Sequence, residues 1–311
     1  ALLSGFNTIA NKPYLMAIPI ILDLFLWFGP AWRVDAFFNP LIQNLSGLPG
    51  MDAVEFVEIF ESYQAAWLES ISNFNLAFSL RTLPIGVPSL MTSKPPFLNP
   101  LGQPLVYSLE TNGQILGIWL LFILIGYFLA SIYFKNISSQ IITTNQNSSL
   151  KSLMGSFLQI ILMPVMLLLI FLILSIPVLF VISLIMMISP AIGQFVIVIA
   201  GVMLLWVIMP LIFTPHGIFL YKQNLIAAMM TSISVVRTSM GKTAWFILLS
   251  FILVQGMDYL WQAPDVNNWF LIIGILGRAF IVSAVIAASF HYFIDATEFT
   301  QAVMNQKMKS A

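Results

Sequence analysis

Residues 157 to 213 form one apolar run without a single Asp, Glu, Lys or Arg, interrupted only at "SPAIGQ". About 20 apolar residues suffice to cross the hydrocarbon of a bilayer, so the run has room for two crossings. Backbone amides and carbonyls find no partner in hydrocarbon, and a helix pairs all of them within one segment. The run therefore predicts a helical hairpin turned at Ser189, Pro190 and Gly193. Pro164 and Pro177 offer two more breaks and hence three shorter spans. The charges beyond the run argue against that division.

The same test along the chain finds six spans, at about 14–32, 114–134, 157–188, 190–213, 243–262 and 268–292. With six, Lys12, Lys135, Lys151, Lys222, Arg237, Lys242, Lys307 and Lys309 fall on one side, and the acidic 33–113 loop on the other. An odd span in the middle would move Lys222, Arg237 and Lys242 across. The positive-inside rule then gives cytoplasmic N- and C-termini, as in a bacterial plasma membrane. Trp32, Trp261 and Trp269 fall at the outer boundary and Trp245 at the inner one, where amphipathic rings prefer to sit. Composition agrees: 59% of residues are hydrophobic and 8% charged, against roughly 25% charged in soluble domains. Twelve basic and twelve acidic side chains cancel, which argues against nucleic acid as a partner. The absence of cysteine excludes disulfides and thiolate chemistry. The first apolar segment shows no small-residue cleavage site and reads as a retained span.

The fold class that follows is all-α, an integral membrane bundle of six transmembrane helices with interfacial lead-in helices and an extracytoplasmic helical cap. "LKSLMGSFLQIIL" (150–162) and "VRTSMGKTAWFIL" (236–248) each pass from a basic residue through Met-Gly into a span, and "SGFNTIANKPYLMAIPI" reads as a diverged copy. Three units of one lead-in helix and two spans are the expectation. The 33–113 loop is too long for a plain connector. An amphipathic helix at about 51–79 puts Phe56, Phe60, Tyr63, Trp67, Ile71 and Phe74 on one stripe. The Pro-rich segment after it predicts an extended external strap.

Three charged residues fall inside spans, with Gln255 near one of them. Asp23 and Arg278 lie at similar depth and are candidates to pair, while Asp258, about two turns further outward, competes for Arg278 and Gln255 lies one turn before it. This set reads either as a proton or substrate relay in a transporter or as a clamp of the first helix against the last two. His216 and His291, with Asp295 and Glu298, form a metal or acid/base candidate at the inner boundary. The competing reading is a pair of histidines at helix ends, where the dipole favours them. Lys151, Lys222, Arg237 and Lys242 suit anionic lipid at the inner headgroup level. No Walker loop, Rossmann fingerprint, G-x-S-x-G elbow or Cys/His cluster appears. The expectation is a non-enzymatic protein without a cofactor.

"KPYLMAIPIILDLFLWFGP" together with "AAMMTSISVVRTSMGKTAWFILL" resembles bacterial six-helix membrane proteins of unassigned function. It is also similar to the membrane domain of some glycerophosphodiester phosphodiesterases. The resemblance implies an all-α membrane fold and transfers no catalytic residue, since that chemistry belongs to a separate soluble domain. The functional expectation is an accessory or scaffold subunit binding lipids or partner membrane proteins. The alternative is a transporter or an ABC-type permease component for a small or lipidic solute, which would require a separate ATPase.

Overall fold

The computed structural model describes residues 1–45, 54–93, 98–142 and 150–310. The chain opens with α1 (Leu2–Asn11), bends by 97° and continues through a 3-10 turn (Pro13–Met16) into α2 (Ala17–Phe28). The bend falls where Lys12 precedes Pro13, because the proline ring disfavours helical backbone in the residue before it. After α2 come β1 (Ala31–Arg33), α3 (Asp35–Leu45) and α4 (Val54–Asn73). A 3-10 turn (Leu76–Leu80) and an irregular strap lead to β2 (Val106–Ser108), which pairs in parallel with β1. The remainder is helical: α5 (Asn112–Ile141), α6 (Leu150–Ile188), α7 (Pro190–Ile208), α8 (Thr214–Tyr221), α9 (Leu225–Thr238), α10 (Met240–Trp261) and α11 (Leu271–Ser310). Thr111 and Gln114 start α5 with a reciprocal capping box. Among the described residues the fold is all-α apart from one short strand pair.

Among the described residues, five helical stretches are long and apolar enough to cross a membrane, and six if the bent α1–α2 pair counts as one. The central one is α11, which packs against α1, α2, α5, α8, α9 and α10. Close approach of α1 is possible because Gly5 lies over Ala284 and Ala288; a Cβ on Gly5 would sit 2.3 Å from the Ala284 carbonyl oxygen. The most apolar window of α11 is 56% buried, against 11% in α6, 6% in α7–α8 and 11% in α10. Those helices form the periphery. Only Ser189 separates α6 from α7, and Gly193 lets the two touch at Met186. At 39 residues, α6 is about 58 Å long, nearly twice the hydrocarbon thickness.

Lead-in helices exist as separate elements in two of the three expected places. The bend at Lys12 separates α1 from α2, and Ser239 separates α9 from α10. At 150–162 the helix runs on without a break, since no proline or N-cap residue interrupts the start of α6.

The 33–113 loop departs most from expectation. Its helix ends at Asn73, and residues 51–53 of the expected helix lie outside the described residues. An extra helix, α3, precedes it. On the stripe, Tyr63 and Trp67 are exposed while Ile71 is half-buried. The strap, expected outside, instead enters the bundle: Leu80, Ile85, Val87, Leu90 and Met91 are all buried in the main core. Between Arg81 and Lys94 it carries no charge, so burial costs only its backbone polar groups. Those groups find partners. The Tyr127 hydroxyl donates to the Leu83 carbonyl at 2.6 Å, and Gly126 lets α5 approach the Leu80 carbonyl.

Candidate functional site

The strap is held by Asp23. Its carboxylate accepts the Ser89 hydroxyl at 2.5 Å, the Leu90 amide at 3.0 Å and the Met91 amide at 3.1 Å, at 1% exposure. Three donors to one carboxylate compensate its burial, as at a helix N-cap. The Ser89 hydroxyl also accepts the Thr92 amide, and the Thr92 hydroxyl donates to the Ser89 carbonyl. Arg81 Nη1 then donates to the Thr92 hydroxyl at 2.8 Å. One chain of hydrogen bonds thus runs from Asp23 in α2, through the turn 89–92, to Arg81.

Arg278 pairs with Asp258, Nη1 to Oδ2 at 2.8 Å. Of the two partners weighed from the sequence, Asp23 is the one committed elsewhere, although it lies within electrostatic reach of Arg278. Arg278 is 6% exposed; its contact to Asp258 is an ion pair without a linear hydrogen bond, and its Nε has no acceptor. The close approach of α10 to α11 depends on Gly274 and Gly277, whose missing side chains make room for the Trp261 backbone and ring.

Arg81, Ser93, Gln255, Asp258, Gln262 and Arg278 line a groove of about 550 Å³, with Phe251 and Tyr259 at its α10 edge. Among the described lining residues two guanidiniums face one carboxylate, an excess of one positive charge in the groove wall; Asp23, within electrostatic reach of both arginines, is turned to the strap. Asp258 lies three residues from the end of α10 and Arg278 seven residues into α11, so the groove reaches from about 5 to about 10 Å below the strand end of the bundle. Gln255 is exposed on α10 beside it. Sequence reading found Gln255, Asp258 and Arg278 because they interrupt apolar helices. It missed Arg81, Ser89 and Thr92, which looked like ordinary loop residues; the signal was one arginine in the otherwise uncharged stretch "LAFSLRTLPIGVPSLM".

The histidines are not brought together. His216 Nε2 meets the Ser289 hydroxyl at 2.7 Å inside a cage of Phe213, Phe290 and Phe293, whereas His291 Nε2 meets Thr8 at 3.1 Å on another face of α11. Asp295 and Glu298 are exposed, and no group of three metal-ligating side chains occurs among the described residues. The spacing that stacks His291, Asp295 and Glu298 along a helix thus leaves His216 around the helix, behind the phenylalanines. Of the basic residues, Lys151 and Lys222 are exposed, Lys222 closing α8 in a left-handed conformation. Arg237 edges an apolar groove with Trp206, Met209, Pro210 and Met240, and Lys242 lies 4.5 Å over the Phe299 ring. Lys12 donates to Gln140 at the same end of the bundle.

Compared with protein-family models, curated proteins and solved structures, the chain finds no match. Nothing among them bears on the resemblance to phosphodiesterase membrane domains.

Proposed function

We propose that the chain is a multi-pass integral membrane protein that works by binding, as an accessory or scaffold subunit for lipids or partner membrane proteins. The observation that carries this reading is the apolar surface of α6, α7 and α10, whose most apolar windows are about nine-tenths unburied. Surface of that extent in water would drive association, whereas lipid tails or partner helices cover it at no cost. The basic side chains Lys12, Lys151, Lys222 and Lys242 gather at the end opposite the strands, which supports a cytoplasmic face there and a bacterial plasma membrane. Polar groups inside the bundle serve packing: Asp23 holds the strap, Tyr133 meets Ser283 at 2.7 Å, and Thr243 meets Tyr292 at 2.8 Å.

A second reading, transport of a small or lipidic solute, is favoured by the polar groove alone. Its relay version needs a wet path to Asp23, and Asp23 is sealed by the strap. Purification in a mild native detergent followed by mass spectrometry tests the two. A stoichiometric membrane partner is expected. A co-purifying ATPase would favour a permease, and a chain carrying only lipid would overturn the partner-protein reading and leave lipid binding.

A further inference from the structure

Arg278 presents a buried guanidinium whose Nε lacks an acceptor, at the wall of a groove that already holds Arg81. Nearly all buried polar groups in proteins are satisfied, so a charged donor left without an acceptor calls for a ligand that supplies one. The groove is the space in which such a ligand fits. We propose that it holds the phosphodiester headgroup of an anionic phospholipid, taken from the leaflet at the strand end of the bundle.

Charge selects the headgroup class. Among the described lining residues Arg81 and Arg278 stand against Asp258 alone, Asp23 being hydrogen-bonded to the strap, and the one positive charge left in the wall matches a phosphodiester monoanion. A phosphomonoester dianion would leave the site negative. A choline or ethanolamine headgroup would bring its own cation next to two guanidiniums. Gln255 and Ser93 offer neutral donors for headgroup hydroxyls or the remaining phosphate oxygens.

Location selects a lipid as the source. About two turns inward of Asp258 along α10, Phe251 and Ile252 are exposed and apolar. They offer a track for acyl chains below a headgroup. A depth of about 5 to about 10 Å from the helix ends lies near the hydrocarbon boundary, within reach of a phosphate and of an arginine extended towards it. Asp258 has a defined role in this arrangement: it fixes Arg278 and trims the charge so that one monoanion suffices.

The inference rests on the membrane reading above, and the experiment separates the two. The full chain is purified in detergent and mixed with equal amounts of dioleoylphosphatidylglycerol and dioleoylphosphatidylcholine, and bound lipid is counted by native mass spectrometry. The wild-type chain retains the anionic lipid about tenfold over the neutral one. Arg81→Gln brings that ratio close to one. Asp258→Asn raises it several-fold, a gain of binding that no folding defect produces. Equal retention of the two lipids, with no response to either substitution, would overturn the site while leaving a membrane protein with unselective lipid. Displacement of the bound lipid by water-soluble glycerophosphoglycerol at comparable concentration would overturn the lipid assignment.

Discussion

The carboxylate of Asp23 and the hydroxyl of Ser89 meet at 2.5 Å in the interior of the bundle, joining α2 to a strap that the sequence places 66 residues away. The relationship explains why an ionisable residue occupies the first apolar helix without a cation at its side. Its partners are the hydroxyl and two backbone amides of one turn. Because that turn also positions Thr92, the acceptor for Arg81, Asp23 acts on the groove from a distance.

Asp23→Asn should destabilise the chain by about 2–4 kcal/mol, since an amide offers one acceptor oxygen and turns a donor towards donors. Ser89→Ala should cost less, about 1–2 kcal/mol. The two effects are coupled, so Asp23→Ala costs less in the Ser89→Ala background than alone. Thermal unfolding of the four proteins in one detergent measures the cycle; strict additivity would contradict the clamp.

Removing one member of the Arg278–Asp258 pair should cost about 3 kcal/mol, because the other charge stays behind largely buried. Replacing both, as Arg278→Leu with Asp258→Leu, should restore stability to within about 1 kcal/mol of the wild type. The same double variant should lose selectivity for anionic lipid. A double variant as unstable as the singles would mean that the pair organises more of the fold than α10 against α11.

Glycines separate contact from mere helix content. Gly5→Ala should lower stability by about 1–3 kcal/mol, because its Cβ would overlap the Ala284 carbonyl and Ala288. Gly155→Ala and Gly241→Ala meet nothing within 4 Å and sit in helices, so each should gain about 0.5–1 kcal/mol. Unfolding temperatures of the three variants check the contrast in sign.

Zinc in slight molar excess should leave the unfolding temperature unchanged, because His216 and His291 are held by Ser289 and Thr8 on different faces of α11. A zinc-dependent rise that His291→Ala abolishes would revive the metal reading of His216, His291, Asp295 and Glu298.

The long apolar helices were legible because each is a continuous apolar run, and Arg278 and Asp258 were legible because they interrupt such runs. The strap was not. Its prolines mark irregular backbone correctly, yet Leu80, Ile85, Val87, Leu90 and Met91 follow neither a 3.6 nor a 2 residue period, so no pattern announces a buried face. The pairing of Asp23 was hidden for a related reason. Two of its three partners are backbone amides, and every residue except proline has one. Sixteen residues of 3-10 turn and α-helix before Gly29 likewise gave no sign that Trp27 donates to the Val266 carbonyl, closing the strand end of the bundle.

Whether the bundle spans a membrane with its strap sealed inside can be measured directly, because the chain has no cysteine. Single cysteines at Gln103, Ser93, Ser89 and Asn305 are introduced in turn, and sealed vesicles of known orientation are exposed to a membrane-impermeant maleimide. Gln103→Cys and Ser93→Cys should label from one side, Asn305→Cys from the other alone, and Ser89→Cys from neither until the protein is denatured. Labelling of Gln103→Cys and Asn305→Cys from the same side, or of Ser89→Cys in the native protein, would contradict the account.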